Sequence, residues 1–286
     1  MHTMTGHACI ALILVALIAG VVAARAFPGL PPSIGLEPEP SSGSDDRTDP
    51  KPSEKPKENE ADDDRADTKR TEADDRIVLF PELRDDELRT RLKAFSEAGH
   101  DVLSYRRARE VMYWIADNDD GVITTIYARR PTALEPGEWP DQQVLNCEHL
   151  WPQSKGAKKP PMRTDLFHLR PAVPRINSTR SNHPFGTPVA EARPGAGWRV
   201  GRNEDGRTVF EPPPSVRGDV SRSIFYYSVR YEAPIHDDEE AVLRTWAAAD
   251  PVDDTERARA AVIEEYQGNS NPFIIDETIV QRISDF

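Results

Sequence analysis

The chain has 286 residues, 26 of them proline, with 49 acidic against 36 basic side chains and a net charge of −13. Taken as averages, that length speaks for about two domains and that charge speaks against a polyanionic partner. Two cysteines, Cys9 and Cys147, exclude a disulfide framework.

Both averages mislead, because the first quarter of the chain is not globular in character. Residues 9–24 read CIALILVALIAGVVAA, an apolar run at the short limit for a membrane span. Ala24-Arg25-Ala26 follows, an A-x-A pattern suited to signal peptidase. Residues 1–26 are therefore read as a cleaved secretory signal, with an uncleaved membrane anchor as the alternative. Cleavage would leave Cys147 alone, so no internal disulfide is expected. Residues 27–76 are rich in Pro, Ser, Glu and Asp, a composition that cannot bury enough apolar surface to fold. Fifteen acids face seven bases between positions 34 and 75, so this linker carries much of the negative charge.

One mixed α+β domain is expected over residues 77–286. A helix is predicted at 85–99, with acids in its first turn and Gly99 past its end. Ser104 should cap a second helix that turns Tyr105, Ala108, Val111, Met112 and Ile115 to the core. DNDDG at 117–121 reads as a turn; it lacks the later ligands of a calcium loop. VITTIYA at 122–128 reads as a strand. Further strands are predicted at 144–147, 165–169, 198–200 and 208–210, and a short helix at 172–178. The C-terminal third should be helical: from Asp219 or Ser221 to Tyr231, at 239–248, and at 255–267 with Gly268 as cap.

The chemistry concentrates in residues 146–186, NCEHLWPQSKGAKKPPMRTDLFHLRPAVPRINSTRSNHPFG. An acid adjoins a histidine, Glu148 and His149, and a side-chain amide, Asn177, precedes Arg180. The intervening segment carries Lys155, Lys158, Lys159, Arg163 and Arg170, the residues expected to meet phosphates. Across 155–207 eleven bases face four acids, a net of +7 that can attract a polyanion despite the total charge. Strand, basic loop, strand and helix form a compact unit that could set His149 and Asn177 at one pocket. Alternation sends Glu148 and His149 to opposite strand faces, so both reach one site only if the backbone turns there. Hydrolysis of a phosphodiester needs a base near neutrality, which imidazole supplies, and a hard divalent cation. Mg²⁺ keeps several waters, so one carboxylate and one amide oxygen, Glu148 and Asn177, suffice to hold it. Arg180 could add charge to the transition state or brace Glu148 and the backbone.

Three motifs occur here in order: N-x-E-H-L-W-P-Q-S from Asn146, D-L-x-H-L-R-P from Asp165, and N-x-x-R-S-N from Asn177. Together they resemble the bacterial endonuclease I family of periplasmic and extracellular nucleases, in the His-Me finger (ββα-metal) group. The resemblance runs from about residue 77 to the C-terminus. It implies a ββα-metal unit, His149 as general base, and Glu148 and Asn177 as ligands of one Mg²⁺, with Mn²⁺ or Ca²⁺ as substitutes. It also implies a secreted monomer, without a small-molecule cofactor, that cuts DNA, and often RNA, to 5′-phosphate and 3′-hydroxyl ends with little sequence preference. Disulfides common in that family have no counterpart here. A ribonuclease of the same fold and an inactive nucleic-acid-binding surface protein are the alternatives.

Overall fold

The computed structural model describes residues 77–286; the expected signal and linker lie outside the described residues. Helix α1 (Asp85–Glu97) opens with Asp85, Asp86 and Glu87 against its positive end and buries Leu88 and Leu92, one turn apart. Helix α2 (Tyr105–Val111) is capped as expected, with Ser104 Oγ accepting from the Arg107 amide at 3.2 Å. It runs on into a π-helical turn, Met112–Ala116. Ala108, Val111 and Met112 are fully buried, whereas Tyr105 and Ile115 remain half-buried.

The DNDDG turn joins β1 (Asn118–Asp119) to β2 (Val122–Thr124), and β3 (Pro131–Ala133) completes a small antiparallel sheet. Asn118 makes the turn: its Oδ1 accepts from the Gly121 amide at 2.9 Å, and its Nδ2 donates to the Tyr113 and Leu134 carbonyls. The strand predicted at 122–128 stops at Thr124. Beyond it the chain turns inward, the Ile126 amide donates to the Pro171 carbonyl at 2.9 Å, and Tyr127 is fully buried.

Strands β4 (Asn146–His149) and β5 (Leu169–Ala172) pair antiparallel, with Glu148 opposite Arg170 and His149 opposite Leu169. Both start later than predicted. Val144 and Leu145 are held in a turn by the Asp141 carbonyl. Leu166–His168 form a 3-10 turn instead, because the Asp165 carboxylate caps the Phe167 amide at 3.1 Å. That carboxylate also accepts from Tyr226 Oη at 2.8 Å, Tyr231 Oη at 2.7 Å and Gln267 Nε2 at 2.9 Å. It therefore pins the end of the basic loop to the C-terminal helices. Helix α3 (Pro174–Arg180) follows β5, its proline in the first turn where the missing amide costs nothing. The sequence β4–β5–α3 is the expected ββα unit.

A three-stranded antiparallel sheet comes next: β6 (Ala190–Pro194), which the sequence reading missed, β7 (Arg199–Arg202) and β8 (Thr208–Glu211). Helix α4 (Arg217–Tyr231) is buried along nearly its whole length. Its aromatics Phe225, Tyr226 and Tyr227 are core, not a platform for bases. Helices α5 (Asp237–Ala249) and α6 (Asp254–Gln267) lie as predicted, and two short helices, α7 (Pro272–Ile275) and α8 (Ile279–Arg282), close the chain. Gly99 and Gly268 do more than end helices. Both have positive φ, and a Cβ on either would lie within 2.5 Å of the other's carbonyl oxygen, so α1 and α6 meet backbone to backbone there.

Candidate active site

On β4, Asn146 and Glu148 share a face by alternation; on α3, Asn177 and Arg180 share a face by helical spacing. The two faces meet. Asn177 Nδ2 donates to Asn146 Oδ1 at 3.0 Å, and Arg180 Nε lies 3.5 Å from Glu148 Oε1. Tyr127 Oη donates to the same Glu148 oxygen at 2.8 Å. Glu148 is 3% exposed. Burial raises its pKa, while Arg180 and the Tyr127 hydroxyl favour the ionised form.

Arg180 is itself 1% exposed. It donates to the carbonyls of Leu150 at 2.5 Å and Ser181 at 3.2 Å, and its guanidinium lies 4.6 Å from the Phe185 ring centroid. These contacts brace Glu148 and the strand end, one of the two roles the sequence allowed.

These residues suit a hard, water-rich cation. Asn177 has its amide nitrogen committed to Asn146, which aims its carbonyl oxygen elsewhere. Both side-chain partners of Glu148 fall on Oε1, leaving Oε2 as a donor. Among the described residues no group of three or more His, Cys, Asp or Glu side chains is gathered as a metal cage. One carboxylate and one amide match Mg²⁺ better than an ion wanting four soft ligands.

His149 is the last residue of β4, and the charge of Arg180, which lies beside Glu148, acts on its ring as well. Its Nε2 lies 3.1 Å from the Arg163 carbonyl, and Gln153 Nε2 lies 3.3 Å from its Nδ1. A carbonyl only accepts, so Nε2 carries the proton and Nδ1 the lone pair. The ring packs beside His168, at 5.5 Å between centroids, and Tyr105, at 6.0 Å. Burial, then the His168 and Arg163 charges, lower its pKa to about 3, with Arg180 acting the same way and the Arg163 carbonyl opposing. The imidazole is thus held neutral. His168 is fully buried, with Nε2 at 2.5 Å from the Met162 carbonyl, and sits between His149 and Tyr227 as a packing partner.

The basic residues divide. Lys158 and Lys159 are exposed. Lys155 is exposed as a whole residue, in the turn Gln153–Lys155, but partial desolvation of its ammonium lowers the pKa against the pull of Glu239. Arg163 is half-buried, its guanidinium 4.0 Å from the Tyr105 ring centroid. Arg170 departs from the expectation of a phosphate contact. It is 8% exposed and ion-paired to Asp117 at 3.3 Å and Asp219 at 3.0 Å, so its charge is spent inside the protein. Cys147 is a free thiol whose pKa burial pushes up to about 12, which keeps it protonated.

Sequence reasoning missed three contributors. Asn146 lies two residues before Glu148, and strand alternation could have placed it beside the same partner. Gln153, four residues after His149, was equally in view. Tyr127 offered no signal, because its reach to Glu148 depends on the inward turn after β2.

Comparison with known proteins matches residues 86–278 to the family model described as Endonuclease I. An extracellular ribonuclease of Bacillus subtilis (strain 168) is 35% identical over 212 residues, 62% of this chain and 67% of the relative. One of the same name from Bacillus amyloliquefaciens is 36% identical over 207 residues, again 62% and 67% of the two chains. An extracellular deoxyribonuclease of Aeromonas hydrophila is 27% identical over 146 residues, 48% of this chain and 56% of that one.

Proposed function

The chain belongs to the endonuclease I family and is a nuclease, and from that premise we propose a secreted, Mg²⁺-dependent endonuclease with little sequence preference. It hydrolyses phosphodiester bonds of DNA and RNA to 5′-phosphate and 3′-hydroxyl ends. The observation that supports this reading is the contact of β4 with α3, Asn177 on Asn146 and Arg180 on Glu148, next to the His149 that ends the strand.

Mg²⁺ held by Glu148 and Asn177 would neutralise phosphate charge and stabilise the leaving oxygen. The chain's own residues do the rest. Nδ1 of His149 takes a proton from the attacking water, which enters where the Gln153 amide now sits. The Arg163 carbonyl fixes the tautomer and presents its partial negative charge to the imidazolium as it forms. Tyr127 and Arg180 hold the Glu148 carboxylate in place, and Asn146 orients the Asn177 amide. Lys158, Lys159 and the neighbouring Lys155 bind backbone phosphates, which position the polymer without reading its bases.

The names of the relatives favour RNA as a full substrate beside DNA, since two extracellular ribonucleases match over 212 and 207 residues. Names containing extracellular or periplasmic support secretion. Among the described residues no helix is long and apolar enough to cross a membrane.

Digestion of supercoiled plasmid and of a structured RNA, side by side, tests the proposal. Both should be degraded with Mg²⁺ and spared with EDTA, and the fragments should accept ligation without added kinase. Equal degradation with and without EDTA would refute the metal dependence; 5′-hydroxyl ends would refute the mechanism.

A further inference from the structure

The basic loop adjoins a second feature that the chemistry above does not use. Arg163 lies over Tyr105, and Tyr105 packs beside His149. Arg109 lies against two rings, its guanidinium 5.4 Å from the Tyr105 centroid and 4.8 Å from that of Trp139. Trp139 is 38% exposed, one of few large apolar side chains on the described surface. Arg106 also lies over it, at 5.6 Å, its side chain 76% exposed and paired through Nε with Glu110 at 2.9 Å. Trp114 meets Trp139 edge-on at 5.3 Å and is itself fixed by donation from Nε1 to the Glu138 carbonyl at 2.7 Å.

Rings and guanidinium groups therefore alternate outward from His149 to a supported, solvent-facing indole. Among the described residues no carboxylate pairs with Arg109, and its Nε is buried without a hydrogen-bond partner. Its charge is left to the rings and to whatever arrives over them. A structural reason for packing cations on aromatics exists, since each such contact stabilises modestly. It does not account for an exposed indole at the outer end of the row.

We infer that Tyr105, Arg109 and Trp139 form a stacking subsite for the unpaired bases of a single strand threaded to His149. Bases have a π face whatever their identity, so stacking on Trp139 suits a nuclease without sequence preference. The arginines beside it would meet the phosphates of the same nucleotides. In a duplex the bases are already stacked on each other and cannot lie on the indole without unstacking. The subsite therefore favours single strands, RNA loops and frayed ends over intact duplex. This inference rests on the nuclease reading and deepens it by naming the form of substrate preferred.

Equilibrium binding of the full chain in EDTA, to a labelled oligothymidylate and to a duplex of matched length, tests it. Trp139→Ala should weaken single-strand binding about 5- to 100-fold and lower the single-strand to duplex affinity ratio accordingly. Trp139→Phe should restore most of that ratio. Arg106→Ala, a change to a solvent-exposed side chain, should weaken single-strand binding and flatten its salt dependence even if Trp139→Ala fails to fold. An unchanged ratio in Trp139→Ala, or an equal loss for both ligands, would overturn the subsite while wild-type cleavage with Mg²⁺ still upheld the nuclease. A wild type that cleaves neither polymer would instead overturn the reading beneath it.

Discussion

Replacing His149 with alanine should slow plasmid nicking by about 10²- to 10⁴-fold, the range expected for loss of a positioned general base. Binding to the same plasmid in EDTA should persist, because the exposed lysines remain. The effect follows from geometry as well as residue type. Only one ring nitrogen can accept a proton, since the Arg163 carbonyl holds the proton on Nε2. Burial and the cations around it keep the imidazole neutral, so Nδ1 has a lone pair to offer, and an anionic phosphate bound beside it would raise its affinity for the proton. Nicking rates at saturating DNA, with circular dichroism on the same samples, make the comparison. A variant that is folded and as fast as the wild type would remove His149 from the mechanism.

Asp117→Ala should cause the largest loss of stability, about 3–5 kcal/mol, the usual cost of removing one partner from a buried ion pair. Asp117 accepts Arg259 Nε at 2.8 Å and a second guanidinium nitrogen at 2.9 Å, while Arg170 approaches at 3.3 Å. Arg259 is 7% exposed and also donates to the Leu169 carbonyl at 2.7 Å. Without Asp117 it would remain buried and charged with no carboxylate in hydrogen-bonding contact. Leu169 pairs with His149 across β4 and β5, so the damage would reach the site as well. For a domain of this size the melting temperature should fall by roughly 10 °C. Asp119→Ala, an exposed position in the same turn, should change it by less than about 2 °C. Equal melting temperatures for the two variants would contradict the structural role given to Asp117.

Local signals in the chain were read well where local physics decides the outcome. The Ser104 cap, the acidic first turn of α1 and Gly268 at the end of α6 each act through neighbours within a few residues. The motif residues Glu148, Asn177 and Arg180 were legible for a related reason, because two short elements set their spacing. Errors arose where a distant partner governs. DLFHL alternates like a strand, yet Asp165 is claimed by Tyr226, Tyr231 and Gln267 and folds into a tight turn. Arg170 sits in a run of bases, yet the two acids that bury it come from about fifty residues to either side. VITTIYA opens with five β-branched residues, but its second half must turn inward to bring Tyr127 to Glu148. Neither spacing nor propensity carries such information; tertiary packing overrides both.

A crystal structure with Mn²⁺ in place of Mg²⁺ tests the central claim most directly, through the anomalous signal of the ion. One ion should appear with Glu148 and Asn177 oxygens as its protein ligands, at a little over about 2 Å, and the rest of its shell filled by water. Anomalous density bound elsewhere, or none at this pair of oxygens under conditions that support cleavage, would contradict the account.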